Sequence, residues 1–168
     1  MPRRVLVPLD RSHRSEAALA QLPEVCSPSD EITLISVGAP GEREHIAALP
    51  PSNAIRYGGV VGINIGRETP VFETPKQARE RQLAELSSYL GDKADELLSR
   101  GFDVQIQPIV AKNPASAIIK FARDHKPSLI VLVRRTHDPR RLIFGSVAGA
   151  IARSDVAPVL LLPARPRR

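Results

Sequence analysis

The residue types able to do chemistry gather at a few points of the chain. Arg134, Arg135, Arg140 and Arg141 bracket one loop, Gly145 and Ser146 follow it, and residues 1–133 are formally neutral, so the segment 134–168 carries the entire net charge of +6. Guanidinium groups gathered on one loop suit a local anionic partner, and a solvated basic surface is the plain alternative. Arg165, Arg167 and Arg168 add charge on a proline-broken tail. Near the other end of the chain, Asp10 stops an apolar run and precedes Ser12 and Ser15. It is either a site carboxylate or a turn residue accepting local N–H bonds.

The same inventory excludes several chemistries. His13, His45, His125 and His137 show no metal-ligand spacing, and the single Cys26 can neither form an internal disulfide nor complete a cysteine-rich zinc site. One free cysteine suits a reducing, cytoplasmic setting. Ser146 follows Gly145 but precedes Val147 and Ala148, so the Gly-x-Ser-x-Gly turn of a serine hydrolase is missing. Four Phe and two Tyr are scattered without basic residues between them, which argues against a stacking platform for nucleic acid. The longest apolar stretches, Leu129–Val133 and Val159–Leu162, fall far below the ~20 residues of a membrane-spanning helix. The short apolar start after Arg4 carries no export signal.

Holding these residues requires a core, and a chain of 168 residues can build one without disulfides or structural metal, burying roughly 70% of its unfolded surface. Residues 1–168 are expected to form one domain. Val5–Leu9 is the continuous apolar run of a strand covered on both faces. Ser12 can cap the helix that follows, whose stripe is Ala17, Ala18, Leu19 and Leu22, and Pro23 makes that helix short. Ile32–Val37 is β-rich and reads as a second strand. Between residues 38 and 74, glycines and prolines break every periodic pattern, the mark of a long insertion, with Val60–Ile65 able to pair briefly as a strand.

Thr74-Pro75-Lys76-Gln77 signals a helix start, Leu83, Leu86, Leu90, Ala94 and Leu97 form its buried stripe, and Gly101 supplies a stop. Phe102–Ala111 alternates as an edge strand does, and Pro108 favours an edge position. Asn113-Pro114 opens a third helix through Ile118, Phe121 and Ala122, and Leu129–Val133, the most apolar run, is expected to be the central strand. A fourth helix over Val147–Arg153 and a last strand over Pro158–Leu162 complete five strands and four helices. Such alternation predicts an α/β fold, a doubly wound five-stranded parallel sheet with helices on both faces. Ligands of these sheets sit beyond the carboxyl ends of strands where strand order reverses. If the first strand neighbours the fourth, that crevice is lined by Asp10, the residues after Val37, the basic loop and Gly145-Ser146.

Several of these stretches, in order, resemble the universal stress protein family. The opening Val5-Leu6-Val7-Pro8-Leu9-Asp10-Arg11-Ser12 with Ser15-Glu16-Ala17-Ala18-Leu19 is similar to the family's first strand end and serine-capped helix. Pro114-Ala115-Ser116-Ala117-Ile118, Ser128–Leu132, Gly145-Ser146-Val147-Ala148 and Ala157–Leu161 follow in the family's order and nearly its spacing. The resemblance spans nearly the whole chain outside the insertion at 38–74. It implies strand order 3-2-1-4-5 and a homodimer paired through the last strand, Val159–Leu162. It also implies an ATP site, in which Asp10 contacts the ribose or a bound metal ion and Val37 packs near the adenine, although Val37, as a strand terminus, can equally be a core residue.

One departure bears on that site. The family's ATP motif has three glycines after the fourth strand, and here the first two fall on Val133 and Thr136, with the stretch to Gly145 one residue short. Glycine permits close backbone approach to a phosphate, so most of the cradle is lost. The retained Gly145-Ser146 can still hold an anion at the positive end of a helix, with Arg135 or Arg140 adding charge-assisted contacts. The alternative is that Gly145 permits tight packing while Ser146 caps the helix. The sequence thus leads to a non-enzymatic, dimeric stress-response or regulatory domain with an altered nucleotide site. Its alternatives are an ATP or AMP sensor using the basic loop, and a slow ATP hydrolase.

Overall fold

The structure, a computed structural model, describes residues 2–40, 74–134 and 145–163. Most of the insertion, with its strand at Val60–Ile65, lies outside the described residues, as do Arg135, Arg140, His45, His137 and the basic tail. The elements run β1 (Arg4–Pro8), α1 (His13–Val25), β2 (Glu31–Gly38), α2 (Pro75–Leu98), β3 (Asp103–Val110), α3 (Pro114–His125), β4 (Leu129–Val133), α4 (Ser146–Arg153) and β5 (Val159–Leu162). The five strands form one parallel sheet in the order β3-β2-β1-β4-β5. The middle strand is β1, and β4, expected to be central, is an interior strand between β1 and β5. Both are buried on both faces, which is why their runs are equally apolar.

Alternate residues of the central strands feed two separate cores. Val5, Val7 and Leu9 pack with Ala18, Leu19 and Leu22 of α1 and Leu90, Ala94 and Leu97 of α2 on one face. Leu6, Ile35, Ile130 and Leu132 pack with Ile118 and Ala122 of α3 and Ile151 of α4 on the other. Helices therefore cover both faces. Each fully buried leucine contributes about 1.5–3 kcal/mol of apolar transfer free energy, so these two stripes decide which way every helix turns.

The helix signals act as their chemistry requires. The Thr74 hydroxyl accepts the Gln77 N–H at 3.3 Å and the Gln77 side chain accepts the Thr74 N–H at 2.9 Å, a complete capping box with Pro75 at the first helical position. Gly101 adopts φ +85°, the left-handed turn that ends this segment. Pro23 does not end α1, which continues to Val25 and closes with the Cys26 N–H on the Leu22 carbonyl at 2.8 Å. In the last turn a proline forfeits only its own N–H bond, so the helix passes through it. At the amino-terminal edge of the sheet, buried Asp30 accepts the Arg3 backbone N–H at 3.0 Å, its guanidinium at 2.6 Å and the Ser27 N–H at 2.9 Å, tying β1 to the turn before β2.

Candidate functional site

The crevice at the carboxyl end of the sheet follows from main-chain parity. On β1 the Arg3 carbonyl accepts the Glu31 N–H at 2.9 Å and the Leu9 N–H reaches the Ile35 carbonyl at 2.8 Å, so odd-numbered residues face β2. Even-numbered residues face β4, as the Ser128 N–H on the Arg4 carbonyl at 2.8 Å shows. Pro8 is the even position that must donate next to β4, and it has no N–H. Register between β1 and β4 accordingly ends at Leu6 with Ile130. β4 stays paired to β5 as far as Val133 with Leu162, and the Arg134 N–H extends that ladder to the Leu162 carbonyl at 3.0 Å. β1 stays paired with β2 to Pro8 and β4 with β5 to Val133, whereas the ladder between β1 and β4 stops two residues before Pro8. Pro8 is the residue that sequence reasoning passed over, and its signal was a proline inside an otherwise unbroken core strand.

Asp10 borders this crevice and is bound into a local knot. Its Oδ1 accepts the Ser12 N–H at 3.1 Å and the Ser12 hydroxyl, while its own N–H donates to Ser15 Oγ at 3.2 Å. Ser12 caps α1, accepting the Ser15 N–H at 3.2 Å. Arg11 between them holds φ +60°, a left-handed conformation uncommon outside glycine. Burial works to raise the Asp10 pKa, but the hydrogen bonds from Ser12 and Ser15 outweigh it and hold the carboxyl below its ordinary value. The turn-forming reading of Asp10 is thus correct in detail. It occupies Oδ1, and among the described residues no hydrogen bond reaches Oδ2.

The other expected site residues divide. Gly145 takes the cap position of α4 with no side-chain cap bond, and its carbonyl accepts the Gly149 N–H at 2.8 Å. Ser146 is therefore the first helical residue and exposed; it does not cap the helix, and α4 begins one residue earlier than expected. The first N–H groups of α4 remain directed outward at the positive end of the helix. Val37 is half-buried, pairs in register with Ile109 and packs on the core cluster of Leu6, Ile35 and Ile118, so it is a core residue at the strand end. Topology places Asp10 after β1 and Gly145 after the neighbouring β4, and Val37 on β2 at the far side of β1.

A shallow cavity of about 510 Å³ lies elsewhere, between the end of β3 and α3, lined by Ile109, Ala111, Asn113, Ala117, Lys120 and Phe121 among others. It is open and mostly apolar, and it is separate from the crevice beside Pro8. Of the described histidines, His13 is exposed, and exposed His125 stacks on Phe121 with ring centroids 3.8 Å apart. Among the described residues no group of His, Cys, Asp or Glu is arranged to hold a metal ion, and no helix is long and apolar enough to cross a membrane.

The fold recurs in solved proteins. The hypothetical protein MJ0577 is 20% identical, with 100% of this chain and 99% of that one covered and a TM-score of 0.66. The universal stress protein UspA from Lactobacillus plantarum is 18% identical over 95% and 97% of the two chains, with a TM-score of 0.62. A universal stress protein solved in complex with cAMP is 19% identical over 97% and 98%, with a TM-score of 0.59. No curated protein matches the chain in sequence. Residues 60–163 match the universal stress protein family itself, well over half of the chain. On that match, and with the expected 3-2-1-4-5 parallel sheet in place, the chain belongs to the universal stress protein family.

Proposed function

We propose that the protein is a non-enzymatic, dimeric regulatory domain whose crevice between β1 and β4 takes an adenine nucleotide through an altered site. The observation that carries this reading is the end of the β1–β4 ladder at Leu6 and Ile130, at the point where strand order reverses and ligands of such sheets bind. In this reading the Asp10 Oδ2 accepts a ribose hydroxyl or approaches a metal ion, and the α4 amino terminus at Gly145 holds a phosphate. A similar fold solved with cAMP supports a nucleotide in this family. Arg135 and Arg140 replace, by charge, the phosphate cradle that two missing glycines remove. β5, at the edge of the sheet, is the dimer strand: Val159 and Leu161 direct their main-chain groups away from β4.

The test is calorimetric titration of the nucleotide-free protein with ATP and Mg²⁺, AMP, ADP and cAMP, with phosphate release followed in parallel. Saturable binding without turnover is the expected result. Phosphate release would replace this reading with a slow hydrolase, and no binding to any of the four would leave the fold as an interaction scaffold.

A further inference from the structure

Glu16, one residue beyond the Asp10–Ser15 knot, is held by both carboxylate oxygens to a different helix. Tyr89 of α2 donates its hydroxyl to Glu16 Oε1 at 3.0 Å, and Lys93, one turn further along α2, reaches Oε2 at 3.1 Å. Lys93 also lies 5.9 Å from the centre of the Tyr89 ring. The pair is part-buried, with 21% and 25% of the Glu16 and Lys93 side chains exposed, which sets it apart from the exposed pairs along α2. His13, fully exposed, is the remaining ionisable neighbour at 3.9 Å from Oε2. The Glu16 N–H is bonded to the Ser12 carbonyl at 3.1 Å. One residue therefore joins α2 to the cap whose hydroxyl holds Asp10. Tyr89 also lies within electrostatic reach of Asp10 and Arg11: the phenol pKa is raised, first by burial, then by Glu16 and Asp10.

We propose that Glu16, Tyr89 and Lys93 are positioning residues for Asp10, so that α2 sets the orientation of the carboxylate at the crevice. Its functional weight rests on the nucleotide reading above, whereas the coupling itself does not. The chain of contacts runs from the α2 side chains to Glu16, through the Glu16 N–H to Ser12, and from Ser12 to Asp10 Oδ1. Each link is a hydrogen bond or ion pair with two distinguishable states, made or broken. A displacement of α2 along its axis is then felt at Asp10, although no α2 residue bonds Asp10 among the described residues.

The test uses the full chain free of ligand. Tyr89→Phe deletes one hydroxyl and no charge, so a change at Asp10 reports geometry alone. Amide exchange at Asp10, followed by NMR, is expected to rise on the order of five-fold, the effect of one hydrogen bond. The Asp10 carboxyl should titrate closer to its ordinary 3.8, with the Ser27–Asp30 turn at the far end of α1 unchanged. Glu16→Gln supplies the second variant. Losing a neighbouring negative charge by itself lowers the Asp10 pKa, so a rise in that variant identifies a loosened turn. Unchanged Asp10 exchange and titration, or equal acceleration at both ends of α1, overturns the proposal; if Tyr89→Phe does not fold, a lowered Asp10 pKa in Glu16→Gln overturns it. Failure of the wild type to bind any of ATP, ADP, AMP and cAMP would sink the nucleotide reading alone, because neither NMR readout needs a ligand.

Discussion

Leu6 and Ile130 are the last residues of β1 and β4 paired in register, and two positions later Pro8 withholds the donor that the next pair needs. The early end of the β1–β4 ladder is thus written into one side chain of the middle strand, while the crevice beyond it follows from the reversal of strand order between β1 and β4.

Pro8→Ala restores an N–H directed at β4. The new amide is expected to be protected from exchange, and β1 to gain one ladder bond. Adenine nucleotide affinity should fall about ten-fold, a change of about 1.4 kcal/mol that one displaced or lost contact can produce. An unprotected amide at position 8, with affinity unchanged, would mean that the ladder stops for another reason.

The two functions of Asp10 separate in a pair of variants. Asp10→Asn keeps a side-chain oxygen for the Ser12 N–H and removes the charge, so stability should change by under ~0.5 kcal/mol while metal-dependent nucleotide binding weakens. Asp10→Ala loses both and should destabilise the protein by about 1 kcal/mol. Chemical denaturation read beside calorimetry decides: equal binding in wild type and Asp10→Asn would leave Asp10 as a turn residue only.

Asp30 makes stability fall at low pH. Hydrogen bonding from Arg3 is the main cause, opposed by burial, and with the backbone N–H groups of Arg3 and Ser27 it brings the carboxyl from 3.8 to about 2. A carboxyl depressed in the folded state stabilises the protein above its unfolded pKa, and that contribution is lost as pH falls from about 4 towards 2. Thermal melts across this range should show a drop that Asp30→Asn lacks. At neutral pH that variant should be less stable by about 1–3 kcal/mol.

Leu161 tests the dimer strand. The Leu162 carbonyl accepts the N–H of Arg134, the residue after β4, and the Pro158 carbonyl that of Ile130, so the N–H of Leu161 points to the open edge. Leu161→Pro removes that donor and spares the ladder to β4. Light scattering should show a dimer for the wild type and a monomer for the variant, with circular dichroism reporting the fold retained. A dimer that persists in the variant would place the interface elsewhere.

Local pattern was sufficient for most of the scaffold because each signal acts over a few residues. Thr74 and Gln77 form their capping box from neighbours three apart, Leu86, Leu90, Ala94 and Leu97 share a helix face by spacing alone, and the unbroken apolar runs of β1 and β4 mark buried parallel strands. Family resemblance, carried by ordered short stretches, supplied strand order, which periodicity does not contain. Pro23 stands in the last turn of α1, which ends two residues later, and the two innermost strands, β1 and β4, are equally apolar.

What the amino-acid sequence determined by itself was the set of elements, their burial stripes and the residues available at the carboxyl end of the sheet. Tertiary structure decided which of those residues do what. Ser12 occupies one oxygen of Asp10 while Ser15 takes its backbone N–H, Gly145 rather than Ser146 takes the helix cap, and half-buried Val37 packs on the core. The bond from Tyr89 to Glu16 spans 73 residues of chain, and the loss at Pro8 matters only because parity turns that residue towards β4. Both depend on which strands and helices become neighbours, a property of the assembled sheet and its two cores that no local spacing encodes.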